Sequence, residues 1–534
     1  MTIHRRIFVS TFTFILTAHI LSASVQGQPA SIDIFPDKVI GPISPYVYGM
    51  NAQKFDSSLG STVRRMGGNR QTGYNWVINA SSAGSDWKHF NDDWPCQILG
   101  YKNSAEPGAQ VTNFVRDNLK LGMDSLITIP LVDFVAGDKK GEVSESEKAP
   151  STRFKHSLPT KKGPYTLTPN PEDKEVYQDE FVNFLVHKLK KAEQGGIKFY
   201  CLDNEPGLWS HTHPRIHPRK VAYKELVERS EAMAEAITRL DSGAQVFGPV
   251  LYGWGAYMNL QNAPDAKEFS ARYPTFIDFY LTQMKALEER HNRRLLHVLD
   301  LHWYPEARGG GRRITEPGID ADIVKARLQA TRSLWDASYV EDSWITQNST
   351  NRKPIRLIPW IKEKIEKNYP GTKLAFTEYD FGAGHHVSGG LAQADVLGIF
   401  GREGVYLACY WGDLKHYIAA AMKLYRNYDG KGSRFGDRAV VVAGNDPSRF
   451  SVYAAVDSGN PAKLAVVLVN KDLKEGLRGK IRIANKIAYQ VSETYGFDAS
   501  SPEIRPMAGF DFKDGHLEYS LPPMSAALVA LNAK

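Results

Sequence analysis

Glu205 and Glu378 stand 173 positions apart, and each lies at the polar end of a short apolar run, in "IKFYCLDNEP" and "KLAFTEYDFG". Such runs read as buried strands, so a carboxylate at the end of one sits at a mouth rather than in a core. Two carboxylates brought to one mouth are what hydrolysis of a glycosidic bond needs. One stays protonated to donate to the leaving oxygen; the other, ionised, attacks the anomeric carbon or activates water. A second chemistry competes for the same region. "YCLDNEPGLWSHTHPRIHP" (200–218) carries His211, His213 and His217, and a His211/His213 pair could serve a metal-dependent hydrolase. Against it, the histidines lie beyond the strand and are flanked by Pro214 and Pro218, which suits a braced loop. No metal ligand is therefore expected in the catalytic site.

The elements that must position these residues are regular. Eight apolar runs, at 46–51, 61–69, 125–135, 197–206, 245–255, 295–305, 373–382 and 405–412, alternate with helical patterns such as "DEFVNFLVHKLKKAEQGG". Repeated strand–helix units imply parallel strands, and eight of them fit an α/β fold of the (β/α)8 TIM-like barrel type. In that architecture the polar residues at strand ends converge on one face. They would bring Arg65 and Asn69, Asn204 beside Glu205, His302 and Tyr304, and Trp411 to the two glutamates as the expected substrate-binding residues. Trp209, just beyond the fourth strand, is expected to offer its ring to a sugar, as are Trp254, Trp303 and Trp411 at other strand ends. Residues 136–172 and 306–355 read as long irregular insertions on the same face. From about residue 435 the pattern turns to short alternating segments without helices, a smaller all-β sandwich domain. The expected division is a signal peptide over 1–27, strand structure over 28–44 joining the β domain, a barrel over 45–434 and the sandwich over 435–534.

The basic start "MTIHRR", the apolar "IFVSTFTFILTAHIL" and the small residues before Gly27 form a secretory signal, which predicts a secreted protein with no membrane segment after cleavage. A net charge of +7 without a dense Lys/Arg tract argues against a nucleic-acid partner. Three cysteines cannot all pair, and Cys201 and Cys409 fall in strand-like runs, so they are expected in the core.

Taken together, "YCLDNEPGLWSHTHPRIHP", "RRMGGNRQTGYNW" (64–76), "GSDWKHFNDD" (84–93), "DLHWYPEA" (300–307), "FTEYDFG" (376–382) and "YWGDL" (410–414) resemble blocks of glycoside hydrolase family 44, from about residue 30 to the end. The resemblance implies endo-acting β-1,4-glucanases or xyloglucanases, a barrel with a small β-sandwich, and hydrolysis with retention. It makes Glu205 the general acid/base and Glu378 the nucleophile. A β-glucan polysaccharide is the expected partner, the chain is expected to be a monomer, and catalysis needs no cofactor. Structural calcium or zinc is compatible with the family, with Asp86, Asp92 and Asp93 as loose candidates. Met66 departs from the family block, which commonly has an aromatic there. A decayed, purely carbohydrate-binding scaffold is disfavoured because both glutamates are present. Retention predicts the two carboxyl groups roughly 5–5.5 Å apart.

Overall fold

The computed structural model describes residues 30–51, 56–444 and 446–534. The proposed signal lies outside them. Eight parallel strands close into a barrel in chain order: β1 (Gly49–Asn51), β2 (Val63–Met66), β3 (Asp124–Ile129), β4 (Phe199–Leu202), β5 (Gln245–Leu251), β6 (Val298–Trp303), β7 (Lys373–Tyr379) and β8 (Leu407–Tyr410), with β8 paired to β1. All eight coincide with the apolar runs. The barrel interior is packed with Val63, Leu126, Phe199, Cys201, Phe247, Val250, Val298, Ala375, Leu407 and Cys409, so it is a core and not a channel. Cys201 and Cys409 lie there as free thiols.

The insertions are more ordered than their composition suggests. Phe134–Ala136, Phe154–Leu158 and Glu175–Tyr177 form a three-stranded sheet beyond β3. The segment beyond β6 holds a hairpin (Arg308–Gly309 with Arg312–Arg313) and the helices Ala321–Ala330 and Trp344–Asn348. Short strands interrupted by Pro, Gly and Lys carry little periodicity, which is why they read as loops.

The β region is a ten-stranded sheet. Ala30–Pro42 lies inside it, antiparallel to Arg438–Ala443 and parallel to Leu477–Ile483. Three strands were not legible: Ser501–Pro506, Phe510–Lys513 and His516–Leu521. Strand alternation divides the side chains between two cores. Along Phe450–Asp457, Phe450, Val452, Ala454 and Val456 enter the sheet's own core, while Tyr453 and Ala455 join the barrel's.

The helix Val387–Arg402, between β7 and β8, is buried along nearly its whole length because it lies between barrel and sheet. Its glycines permit the contact: a Cβ at Gly398 would stand 2.3 Å from the Tyr453 ring. Midway along it, Asp395 meets Lys471 of the sheet at 2.7 Å, each side chain 1% exposed. Asp395 also accepts from Thr331 and Tyr453 at 2.5 and 2.6 Å. A buried charge pair is tolerable only with its remaining lone pairs satisfied, as here.

Candidate active site

Glu205 and Glu378 meet at the carboxyl end of the barrel, with an oxygen of each and a ring nitrogen of His302 all within 4.8 Å of one another. Glu378, on β7, accepts from the Arg65 Nη1 at 2.7 Å on one oxygen and from the Tyr304 hydroxyl at 2.7 Å on the other. Arg65 is fully buried and also donates to Asn204 Oδ1 at 2.7 Å and Asn51 Oδ1 at 3.1 Å. Burial works against the Arg65 charge, but Glu378 and other nearby acidic groups outweigh it and keep the guanidinium ionised. Two donors aimed at the two Glu378 oxygens suit a carboxylate.

Glu205 has the opposite setting. Its backbone is left-handed, with φ +45°, and its N–H donates to Val250 O of β5 at 3.0 Å. Burial pushes its carboxyl up to about 7; the Arg65 charge pulls it down and Asp86 adds to the rise. Its nearest polar neighbour is His302 Nδ1 at 2.8 Å. Burial holds the His302 imidazole down at about 3, Glu378 and Arg65 acting in opposite senses, so the ring is neutral near pH 7. One carboxyl therefore rests against a neutral ring and the other against a guanidinium. The two carboxyls thus sit in opposed settings within a single site, the arrangement that a pair of carboxyls with different roles needs.

From Asn204 a chain of amides runs outward. Asn204 Nδ2 donates to Asn69 Oδ1 at 3.1 Å, and Asn69 Nδ2 reaches both Asp86 oxygens at 3.1 and 2.9 Å. Trp411 is 39% exposed at this mouth, and its ring lies over Gly68, where a Cβ would come within 2.8 Å.

The sequence model of glycoside hydrolase family 44 matches residues 80–307. The Paenibacillus lautus protein named endoglucanase A is 45% identical over 498 residues, covering 92% of this chain and 71% of its own length. The chain belongs to glycoside hydrolase family 44. Among solved members of the family, a Paenibacillus polymyxa xyloglucanase, determined with xyloglucan, superposes with TM-score 0.91 at 44% identity, over 95% of this chain and 100% of that one. A Clostridium thermocellum endoglucanase gives the same four values. This family 44 chain is a glycoside hydrolase, with the barrel and β-sandwich architecture of its solved relatives.

The structure brings Arg65, Tyr304 and His302 into contact with the glutamates, links Asn204 to Arg65 and Asn69 to Asn204, and sets Trp411 at the same end of the barrel over Gly68. It does not bring Trp209 there. That ring is 0% exposed; its N–H donates to Asn204 O at 2.9 Å and His217 packs edge-on against it at 5.2 Å. Proximity to a strand end says nothing about which way a side chain turns, and this one turns inward to hold the Asn204 peptide. Trp254 and Trp303 are buried too, at 6% and 2% exposure. Met66, 2% exposed, fills the core and is no sugar contact. Among the described residues, the tryptophans exposed besides Trp411 are Trp87 and Trp94 beyond β2 and Trp344 beyond β6. A tryptophan in a polar loop on the catalytic side was the available signal for them. Asn51, at the end of β1, was also open to the strand-end rule.

The histidines beyond β4 do not assemble a metal site. His211 contacts Ser210, His213 contacts Thr212, and His217 bonds Glu225 at 3.0 Å. Nor do the glutamates with His302 fit a cation, since Glu378 is already bonded to Arg65. The acids offered for a structural ion are engaged as well. Asp86 faces Asn69, Asp92 pairs with Arg70, and Asp93 pairs with Lys139 at 3.2 Å. In the loop beyond β3, oxygens of Asp138, Gly141, Glu142 and Glu147 surround one guanidinium, that of Arg153, at 2.7 to 3.2 Å. At Asp92, at Asp93 and in the Arg153 loop, cationic side chains thus stand where a hard metal ion would. Exposure to a chelator is accordingly expected to leave both turnover and Tm unchanged in scanning calorimetry. A fall in Tm that calcium or zinc reverses would reveal an ion site.

Proposed function

We propose that this family 44 enzyme is a secreted, endo-acting hydrolase of β-1,4-glucans, xyloglucan among them, that works by double displacement with retention. One observation carries the retaining mechanism: the approach of Glu205 and Glu378 oxygens within 4.8 Å. Retention needs carboxyl groups roughly 5–5.5 Å apart, whereas inversion leaves about 6.5–9.5 Å for an intervening water. The names of the relatives, endoglucanase and xyloglucanase, support the glucan backbone and cleavage within the chain. Secretion rests on the amino-terminal signal pattern. Among the described residues no helix is long and apolar enough to cross a membrane.

In the first step Glu205 gives its proton to the glycosidic oxygen while a Glu378 oxygen attacks the anomeric carbon. The C–O bond to the leaving chain breaks and a glycosyl ester forms on Glu378. As that oxygen loses its charge, Arg65 and Tyr304 stay in place to receive it again. In the second step the Glu205 carboxylate takes a proton from water, whose oxygen attacks the same carbon and expels Glu378. Two inversions restore the starting configuration. Glu205 can serve in both directions because its proton affinity lies near neutral pH. Neither step calls for a cofactor.

Xyloglucan and carboxymethylcellulose, assayed by viscosity and reducing ends together, test the reading. Viscosity is expected to fall well before many reducing ends appear. Proton NMR in the first minutes is expected to show the β-anomer of the new end. Single sugars released in proportion to the viscosity change would overturn endo action, and an initial α-anomer would overturn retention.

A further inference from the structure

The residue two positions before the proposed acid/base is itself a carboxylate, fully buried, with no part in the chemistry above. Asp203 follows the last residue of β4 and, like Glu205, has a left-handed backbone, with φ +62°. Two such residues within three positions would ordinarily call for glycine. A side chain is kept there, and its contacts show what it holds. Asp203 Oδ1 accepts from the Thr72 hydroxyl at 2.5 Å and from the Asn204 N–H at 2.6 Å, and Oδ2 accepts from the Leu131 N–H at 2.6 Å. The Asp203 N–H donates to Ile129 O, the last residue of β3, at 3.0 Å.

Those partners come from three consecutive strand ends. Thr72 closes the short helix Asn69–Thr72 beyond β2, and Leu131 lies just beyond β3. The helix is tied at both ends to the β4 turn, through Thr72 to Asp203 and through Asn69 to Asn204. On the other side the Glu205 N–H is fixed to β5. The peptide carrying Glu205 is thus held from both flanks, and on the β2–β3 flank every link to the side chain of residue 203 requires an acceptor.

We propose that Asp203 is a positioning residue for general acid catalysis: its carboxylate locks the left-handed turn that aims Glu205 at the glycosidic oxygen. This rests on the acid/base reading of Glu205. An asparagine there has the same shape but one acceptor fewer. Two donors can still meet its oxygen, while its NH2 faces the Leu131 N–H, donor against donor. The β3 contact is lost, the turn relaxes, and Glu205 shifts relative to the scissile bond. Small misplacements of this kind cost up to about 10²-fold in rate.

The test compares substrates that differ in their need for a proton. In Asp203→Asn, kcat on a soluble glucan is expected to fall roughly 10- to 100-fold, while kcat on an aryl glycoside with a good leaving group falls less than about threefold. KM should hardly move. Thr72→Val, which removes one donor and keeps the acid, should shift the same ratio in the same direction by a smaller factor. It decides the matter if Asp203→Asn does not fold. Equal losses on both substrates, or no loss in a folded variant, would overturn the positioning role. Glu205→Ala, run alongside, separates the two ideas. If it shows no leaving-group dependence, the acid/base reading fails; if it does and neither Asp203→Asn nor Thr72→Val follows, only the role of Asp203 fails.

Discussion

Glu378→Gly is expected to lower turnover of glucans by about 10⁵-fold or more, the scale reached when the nucleophile of a covalent mechanism is removed. Azide should restore reaction on activated glycosides. Deleting the carboxylate leaves a hole lined by the two donors that held it, Arg65 Nη1 and Tyr304 Oη. A small anion fits there, charge against guanidinium, on the face of the sugar opposite the leaving group. Its attack gives a glycosyl azide of inverted configuration, which NMR of the isolated product identifies. Undiminished activity, or an azide product of retained configuration, would remove Glu378 from the nucleophile's role. The variant needs a fold check by circular dichroism. An unpaired buried guanidinium can cost about 3–5 kcal/mol, although Asn51 and Asn204 still accept from Arg65.

Glu205→Ala should behave differently. Loss of a general acid costs about 10²- to 10⁴-fold on glucans, whose leaving oxygen must be protonated, and much less on activated glycosides. Azide should then speed the second step and yield a product of retained configuration. The pH profile supplies an independent signature. The first step needs Glu205 protonated, so kcat/KM of the native enzyme should decline above its value of about 7, by about tenfold per unit. In Glu205→Ala that alkaline limb should disappear. Stability follows the same titration. Because the folded value of about 7 lies above the ordinary 4.5, the contribution of Glu205 is full below 4.5 and is lost as pH rises through 7. Replacing it should narrow the gap in Tm between pH 5 and pH 8. An alkaline limb that survives in the alanine variant would assign the titration to another group.

The eight barrel strands were legible because each is an apolar run with polar residues at its end, and burial on both sides leaves no other reading. The site was legible for the same reason: a parallel barrel sends strand ends to one face, so Arg65, Asn204, Glu205, His302, Tyr304, Glu378 and Trp411 could be gathered without coordinates. Side-chain direction was not. Trp209 and Trp411 both follow strands, yet one is 0% and the other 39% exposed: Trp209 packs inward against His217 of its own loop, and Trp411 lies over Gly68 from a distant segment. The opposed settings of the two glutamates were expected only in part. That Arg65 and Tyr304 reach the glutamates followed from strand ends, but burial of Glu205 against a neutral His302 depends on packing no local pattern records. The strands Ser501–Pro506 and Phe510–Lys513 escaped because their alternation is broken by proline or runs too short.

The pairing of Ala30–Pro42 with Arg438–Ala443 and Leu477–Ile483 has a temporal side. A chain that emerges amino end foremost presents this strand before the barrel strands and its two neighbours after them. The strand therefore waits with unpaired edges through the emergence of all eight barrel strands. A chain cut off after the last of them would display it to any passing β-edge. Vectorial synthesis thus leaves the covering of this strand to segments made only after the barrel is complete.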